Sequence, residues 1–144
     1  MAATESVVGR FSGWYRRTPV SLEFWEGVLT DERLIWCFVG ESFKSLLLRA
    51  DMGTTAREEV SGLAPDAVAA FDDRNRVVAL DELDSIRLSP GSRLRRSSLV
   101  VTWNDERFDL EATSASDPHE AFVEALADDD RFSHVEVAVE RSFL

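Results

Sequence analysis

The residues able to do chemistry are few. His119 and His134 are the only histidines. His119 falls in the first turn of a predicted helix, where an exposed side chain with no catalytic partner is expected. His134 follows Asp128, Asp129 and Asp130, residue types that suit a divalent cation. Their spacing lacks the alternating acids, central glycine and distal glutamate of a calcium loop. In a chain with 27 acidic residues such groupings arise by chance. Cys37 sits in the most hydrophobic stretch and reads as a small core residue; a reactive thiol needs an electropositive, partly exposed setting. The chain has no GxSxG, no Walker loop, no GxGxxG and no CxxC pair. The expectation is a protein that is not an enzyme and takes no metal and no cofactor.

Binding chemistry is better represented. Arg93, Arg95 and Arg96 lie in the stretch SRLRRSS, where they could hold a carboxylate or phosphate through bidentate hydrogen bonds. The alternative is a solvated turn that offsets nearby acids. Arg16-Arg17 is the other basic island. Trp14, Trp25, Trp36 and Trp103 read first as aromatic core. Trp25 alternates with Phe24, so it becomes a partner anchor if its face of the strand is exposed.

Bulk composition narrows the field. The 144 residues, 44% of them hydrophobic, are enough for one domain with its own core. Acidic residues outnumber basic ones 27 to 16, for a net charge of −11, and Lys44 is the only lysine. Such a chain is a poor partner for nucleic acid. Acid-rich, arginine-for-lysine composition resembles the proteins of salt-loving archaea, where salt screens self-repulsion. No apolar run approaches the roughly 20 residues of a membrane span, and MAATESVVGR has no signal-peptide pattern. A single cysteine forms no intrachain disulfide, so a cytoplasmic protein is expected.

The elements that must position these residues centre on FWEGVLTDERLIWCFV, Phe24 to Val39. It reads as two strands joined by the polar turn Thr30-Asp31-Glu32-Arg33. The first of these strands is taken from Leu22 to Leu29, and the apolar second one, from Leu34, as central. Upstream, Val7, Val8, Phe11, Trp14 and Tyr15 form a leading strand or an arm over the sheet. Gly40-Glu41-Ser42 reads as a turn into a third strand, Phe43 to Arg49. Residues 50 to 76 lose strand character, with Pro65 placed to open a short helix through Phe71. Strands return at Val77, at Ile86, and in a hairpin, Ser98 to Trp103 with Arg107 to Leu110, whose Leu99, Val101 and Trp103 share a face. Asp117-Pro118-His119-Glu120 is a helix start. Phe122, Val123, Ala125 and Leu126 supply an apolar face, and Asp128-Asp129-Asp130 oppose the dipole at its end. His134 to Glu140 alternates as a final strand.

Gly27, two apolar residues, Thr30, the short polar turn, Arg33-Leu34 and two further apolar residues resemble the opening hairpin of prokaryotic PH-like (GRAM-like) domains. LDELDSIRL, Leu80 to Leu88, is similar to a later corner of that family. The resemblance covers residues 22 to 127. It implies a mainly β fold with one C-terminal helix: a PH-like, partly open β-barrel of about seven strands, capped by the helix. The implied organisation is an arm over 1–20, the domain over 21–127 with 50–76 as a long loop or insertion, and an extra C-terminal strand in 128–144. By the same analogy the function is a non-catalytic adaptor that binds another protein, with a homodimer through the final strand as one form of association. The alternative is a peripheral membrane or anionic-ligand module using Arg93, Arg95 and Arg96. Phosphoinositide-binding members carry basic residues around the loop between their first two strands. Taken as that loop, TDER holds two acids and one arginine, which argues against lipid.

Overall fold

A computed structural model describes residues 5–43, 59–60, 62–91, 96–112 and 117–140, excepting the side chains of 42, 43, 117 and 118. The chain divides into two compact units, Met1–Ala79 and Leu80–Leu144. In the first, strands β1 (Val7–Arg17), β2 (Ser21–Thr30), β3 (Arg33–Phe43) and β4 (Arg76–Ala79) pair antiparallel in the order β4-β3-β2-β1, and helix α1 (Pro65–Ala69) lies between β3 and β4 in sequence. In the second, β5 (Leu83–Ser89), β6 (Ser98–Trp103), β7 (Glu106–Ala112) and β8 (Glu136–Val139) are ordered β7-β6-β5-β8, with helix α2 (Asp117–Ala127) preceding β8.

Residues 7 to 17 are a full strand, not a loose arm. Gly13, at φ 83°, sits where the β1–β2 register slips between Phe11 and Trp14, so two residues, Ser12 and Gly13, face Glu26. Glycine takes that backbone conformation without a Cβ clash. Ser12 Oγ donates to the buried Glu26 carboxylate at 2.6 Å.

β2 is buried on both faces. One face carries Tyr15, Phe24, Val28, Ile35, Cys37 and Val39 beneath Val60 and Val68 of the following segment. The other carries Phe11, Leu29, Leu34 and Trp36, all fully buried. Here Phe11 and Trp36 stack with centroids 6.0 Å apart. Gly27 lies against this pair: a Cβ there would stand 2.7 Å from the Trp36 ring and 3.2 Å from Phe11 Cβ.

One expectation along β3 is corrected. Gly40-Glu41-Ser42 is not a turn, because these residues continue the ladder opposite Phe24, Glu23 and Leu22. Ladder bonds already aligned by the hairpin outweigh the weak local turn preference. The register also shifts between Phe24 and Trp25, which face Gly40 and Phe38, so Val39 is the extra residue. The strand placed over Phe43 to Arg49 lies outside the described residues beyond Phe43, as does 51–58 of the long loop. The helix expected from Pro65 is present and ends at Ala69, sooner than Phe71.

The second unit follows its pattern closely. Asn104 and Asp105, at φ 43° and 65°, make the two-residue turn whose twist suits a hairpin. Leu99, Val101 and Trp103 point inward and pair with Leu110, Phe108 and Glu106. α2 buries Val123 and Leu126 and leaves Ala125 exposed, a narrower apolar face than its composition predicts. The chain leaves the helix after Ala127. Asp129 then caps a short 3-10 turn, Asp130–Phe132, through the Arg131 N–H. The final strand is shorter than expected, since Ser133 and His134 belong to the turn before it. β8 pairs in parallel with β5 of its own chain, Ile86 opposite Val137 and Leu88 opposite Val139. Arg87 pairs with Glu136 and lies 3.9 Å from Glu140.

Gly27→Ala should lower the unfolding free energy by about 1–3 kcal/mol through overpacking. Gly62→Ala, whose Cβ meets nothing nearer than 3.9 Å, should lie within about 0.5 kcal/mol of wild type. Urea denaturation of both variants checks the contrast, and equal effects would contradict the packing account.

Candidate functional site

The first unit gathers aromatic and charged side chains at the end where β1 turns into β2. Thr18 shapes that loop: its hydroxyl accepts from the Val20 N–H at 3.3 Å and the Ser21 N–H at 2.9 Å, while its own N–H donates to the Ser21 carbonyl at 2.9 Å. Such hydroxyl-to-backbone bonds stabilise a tight turn. They leave Val20 projecting, 63% exposed.

From the loop a polar chain runs across the strands. Ser21 Oγ donates to Glu41 at 2.6 Å, and Glu41 accepts from Arg74 at 3.1 Å. The Arg74 guanidinium lies over the Phe38 ring, 4.3 Å from its centroid, a favourable cation–π placement. Phe38 in turn meets Trp25 edge-on at 5.4 Å. Trp25 Nε1 donates to Glu23 at 3.4 Å, and Arg16 stands 3.7 Å from the same carboxylate. The arrangement is a run of hydrogen-bonded polar side chains beside a pair of aromatic rings. It offers an aromatic ring, an arginine plane and a projecting valine, which is recognition chemistry.

Trp25 is thus part of this patch, though not as an exposed anchor. It is 3% exposed, because the register shift beside it tucks the indole against Phe38. Half-buried Phe38 and exposed Arg74 present the surface instead. Neither was singled out from the sequence: Phe38 sits in an unbroken apolar run, and Arg74 lies in a segment without periodicity. Arg96, in the second unit, is exposed. Arg93 and Arg95 lie outside the described residues.

The turn TDER joins β2 to β3, since β1 precedes them. The loop between the first two strands is therefore Thr18–Val20, preceded by Arg16 and Arg17. TDER itself is a structural knot. The Thr30 hydroxyl accepts from the Glu32 and Arg33 N–H groups, both at 3.0 Å, and donates to the Glu5 carboxylate. Arg33 grips Glu5 with two bonds of 2.9 Å and reaches Asp66 at 2.6 Å. The guanidinium held against it keeps the Glu5 carboxyl below its usual range, against the opposing effect of burial. With Nε and Nη2 engaged by two carboxylates, Arg33 cannot offer a phosphate the same bidentate grip.

The remaining candidates are structural. Cys37 is fully buried, and burial pushes its thiol up to about 11 although the Asn75 amide donates to the sulfur. His119, expected to be exposed, is half-buried, and desolvation lowers its pKa. His134 donates from Nε2 to the Leu80 carbonyl at 2.7 Å. Asp129 pairs with Arg131 at 2.7 Å. Among the described residues no three His, Cys, Asp or Glu side chains are grouped to hold a metal ion.

No known protein-family profile matches the chain, and no curated protein matches it. Among solved structures it is similar to the hSac2 domain from human phosphoinositide phosphatase Sac2, at 9% identity and a TM-score of 0.57, over 100% of this chain and 81% of that one. The Vps36 N-terminal PH domain matches at 13% identity and a TM-score of 0.41, over 86% of this chain and 80% of that one. The fold is mainly β with one C-terminal helix.

Glu5→Gln should cost about 1–2 kcal/mol at neutral pH, as a charge-assisted pair becomes a neutral one. A carboxyl whose pKa is lowered by folding stabilises fully above its unfolded value and progressively less as pH falls through the folded one. The gap between variant and wild type should therefore close as pH drops below the ordinary 4.5 of a glutamate. Denaturation at a series of pH values checks this; a gap independent of pH would contradict it.

Proposed function

We propose that the protein is a non-catalytic, GRAM-like adaptor module that binds another protein through the β1–β2 end of its first unit. We place it in the cytoplasm of a halophilic archaeon. The observation that carries this reading is the patch of Val20, Phe38 and Arg74, an apolar and aromatic surface with an arginine plane, the residue types enriched in binding hot spots. Internal charge pairing supports it. Arg16, Arg33, Arg74, Arg87, Arg107 and Arg131 each lie at salt-bridge distance from a carboxylate of their own unit. Each of these six cations is partly neutralised, which weakens its own attraction to an anionic membrane. A homodimer through β8, the outer strand of the second unit's sheet, is the self-association consistent with the reading. Glu136 and Glu140 make it dependent on salt screening.

Peripheral binding to an anionic lipid or ligand is the second reading. Arg16 and Arg17 precede the β1–β2 loop, Val20 projects from it, and Arg96 is exposed with Arg93 and Arg95 close in sequence. One solved structure similar in fold comes from a phosphoinositide phosphatase, which makes phosphoinositide vesicles the apt probe.

Tagged protein incubated with halophile lysate in molar salt should retain a stoichiometric protein partner. Val20→Asp with Arg74→Glu should abolish that retention, whereas Arg107→Glu in the second unit should not. Phosphoinositide vesicles should fail to sediment the protein. Sedimentation that is lost on replacing Arg16 and Arg17 by Glu would overturn the adaptor reading. The halophilic setting has its own test: the unfolding midpoint should rise between about 0.1 M and roughly 2 M KCl as self-repulsion is screened, and a flat or falling response would count against it.

A further inference from the structure

One face of the first unit's sheet is covered by a segment with little stability of its own. Between Gly62 and Phe71 its only regular element is α1, five residues long, with Ala64 at its N-cap making no side-chain capping bond. A helix this short does not persist without tertiary contacts. Its apolar contribution comes from buried Val68 and from partly buried Leu63, Ala69 and Phe71. The Gly62 and Leu63 N–H groups donate to the Glu59 and Val60 carbonyls at 3.3 and 3.0 Å, and side chains tie the segment at two further points. Asn75 Nδ2 donates to the carbonyls of Val68 at 2.7 Å and Ala69 at 3.3 Å, while its Oδ1 accepts the Phe38 N–H at 2.8 Å. Arg33 holds Asp66, whose side chain is 96% exposed. Beyond Phe71 the chain is fixed again by a turn at Asp72 and by Arg74 on Phe38 and Glu41.

Directly beneath this segment lies Cys37, the only cysteine in the protein, fully buried and hydrogen-bonded to Asn75. We propose that residues 62–71 form a strap that opens as a unit while the sheet stays folded, hinged at Asp72–Asp73 and latched chiefly by Asn75. Opening uncovers the Cys37 thiol together with the apolar face of Tyr15, Phe24, Ile35 and Val39. Segments of few apolar contacts commonly open far below the global unfolding free energy. The inference is independent of what the protein binds.

Labelling of Cys37 by an aromatic disulfide reagent, followed across low denaturant concentrations, tests it on the intact chain. The expected rate exceeds that of global unfolding and rises less steeply with denaturant than unfolding does, since opening exposes only part of the buried surface. Asn75→Ala should accelerate labelling by about tenfold or more, the loss of its hydrogen bonds, and keep the shallow slope. Asp66→Asn should accelerate it about twofold and less at high salt. Leu29→Ala, on the opposite face of the sheet, should lower global stability without changing the labelling rate. Labelling that follows the denaturant slope of global unfolding, or that speeds up in Leu29→Ala, would overturn the strap.

Discussion

The first unit depends on the knot at Thr30 and Arg33. A hairpin turn needs its inward-facing N–H groups satisfied, and the Thr30 hydroxyl satisfies those of Glu32 and Arg33 while donating a hydrogen bond to Glu5. Arg33 then binds Glu5 across 28 positions and Asp66 across 33. Backbone bonds add to this: the Asp31 N–H reaches the Ser6 carbonyl, and the Ser6 N–H reaches the Asp31 carboxylate. One turn thus fixes the start of β1, the β2–β3 hairpin and the first turn of α1. Cross-links of such long sequence separation restrict the register of both strand pairs at once. Val7 therefore meets Thr30, and Phe11 arrives opposite Gly27.

That register explains why Gly27 is a glycine. β2 must be buried on both faces, so neighbouring strands present bulky residues to each side. Phe11 and Trp36 converge over the same β2 position, and only a residue without Cβ leaves room for the stacked pair. The residues Gly27, Thr30 and Arg33 thus solve linked problems of space, turn geometry and attachment. Their charges are settled locally as well. Individual exposed ion pairs contribute little to stability. In a chain of net charge −11, however, cations placed beside acids relieve repulsion.

Periodicity made most of the second unit legible. The alternation of Leu99, Val101 and Trp103, the Asn104-Asp105 turn and the Asp117–Ala127 helix are local patterns with local causes. The hairpin from Phe24 to Val39 was legible for the same reason. What could not be read depends on tertiary placement. The shift of register at Val39 has no local signature, so Trp25 seemed free to face outward. Val7–Arg17 was ambiguous because its glycines suggest a loop, whereas Gly13 serves a bulge inside a strand. Gly40-Glu41-Ser42 has turn composition but is held by the ladder opposite Leu22–Phe24. Arg74, and with it the surface over Phe38, was hidden because nothing in the sequence places residue 74 beside residue 38.

The strap follows from the unequal lengths of β3 and β4. β4 pairs with Arg33 to Trp36, so among the described residues the edge of β3 beyond Trp36 has no strand neighbour on that side. A buried N–H left unpaired there would cost more than an ordinary hydrogen bond gains. Asn75, the residue before β4, fills the gap by offering its side-chain oxygen to Phe38, and its amide nitrogen is then directed at the carbonyls ending α1. The same asparagine completes the sheet edge and clips down the helix, which couples the two. Extending β4 by ladder pairing would satisfy Phe38 without any tie to α1. A side chain in place of a strand makes the covering segment separable from the sheet it protects.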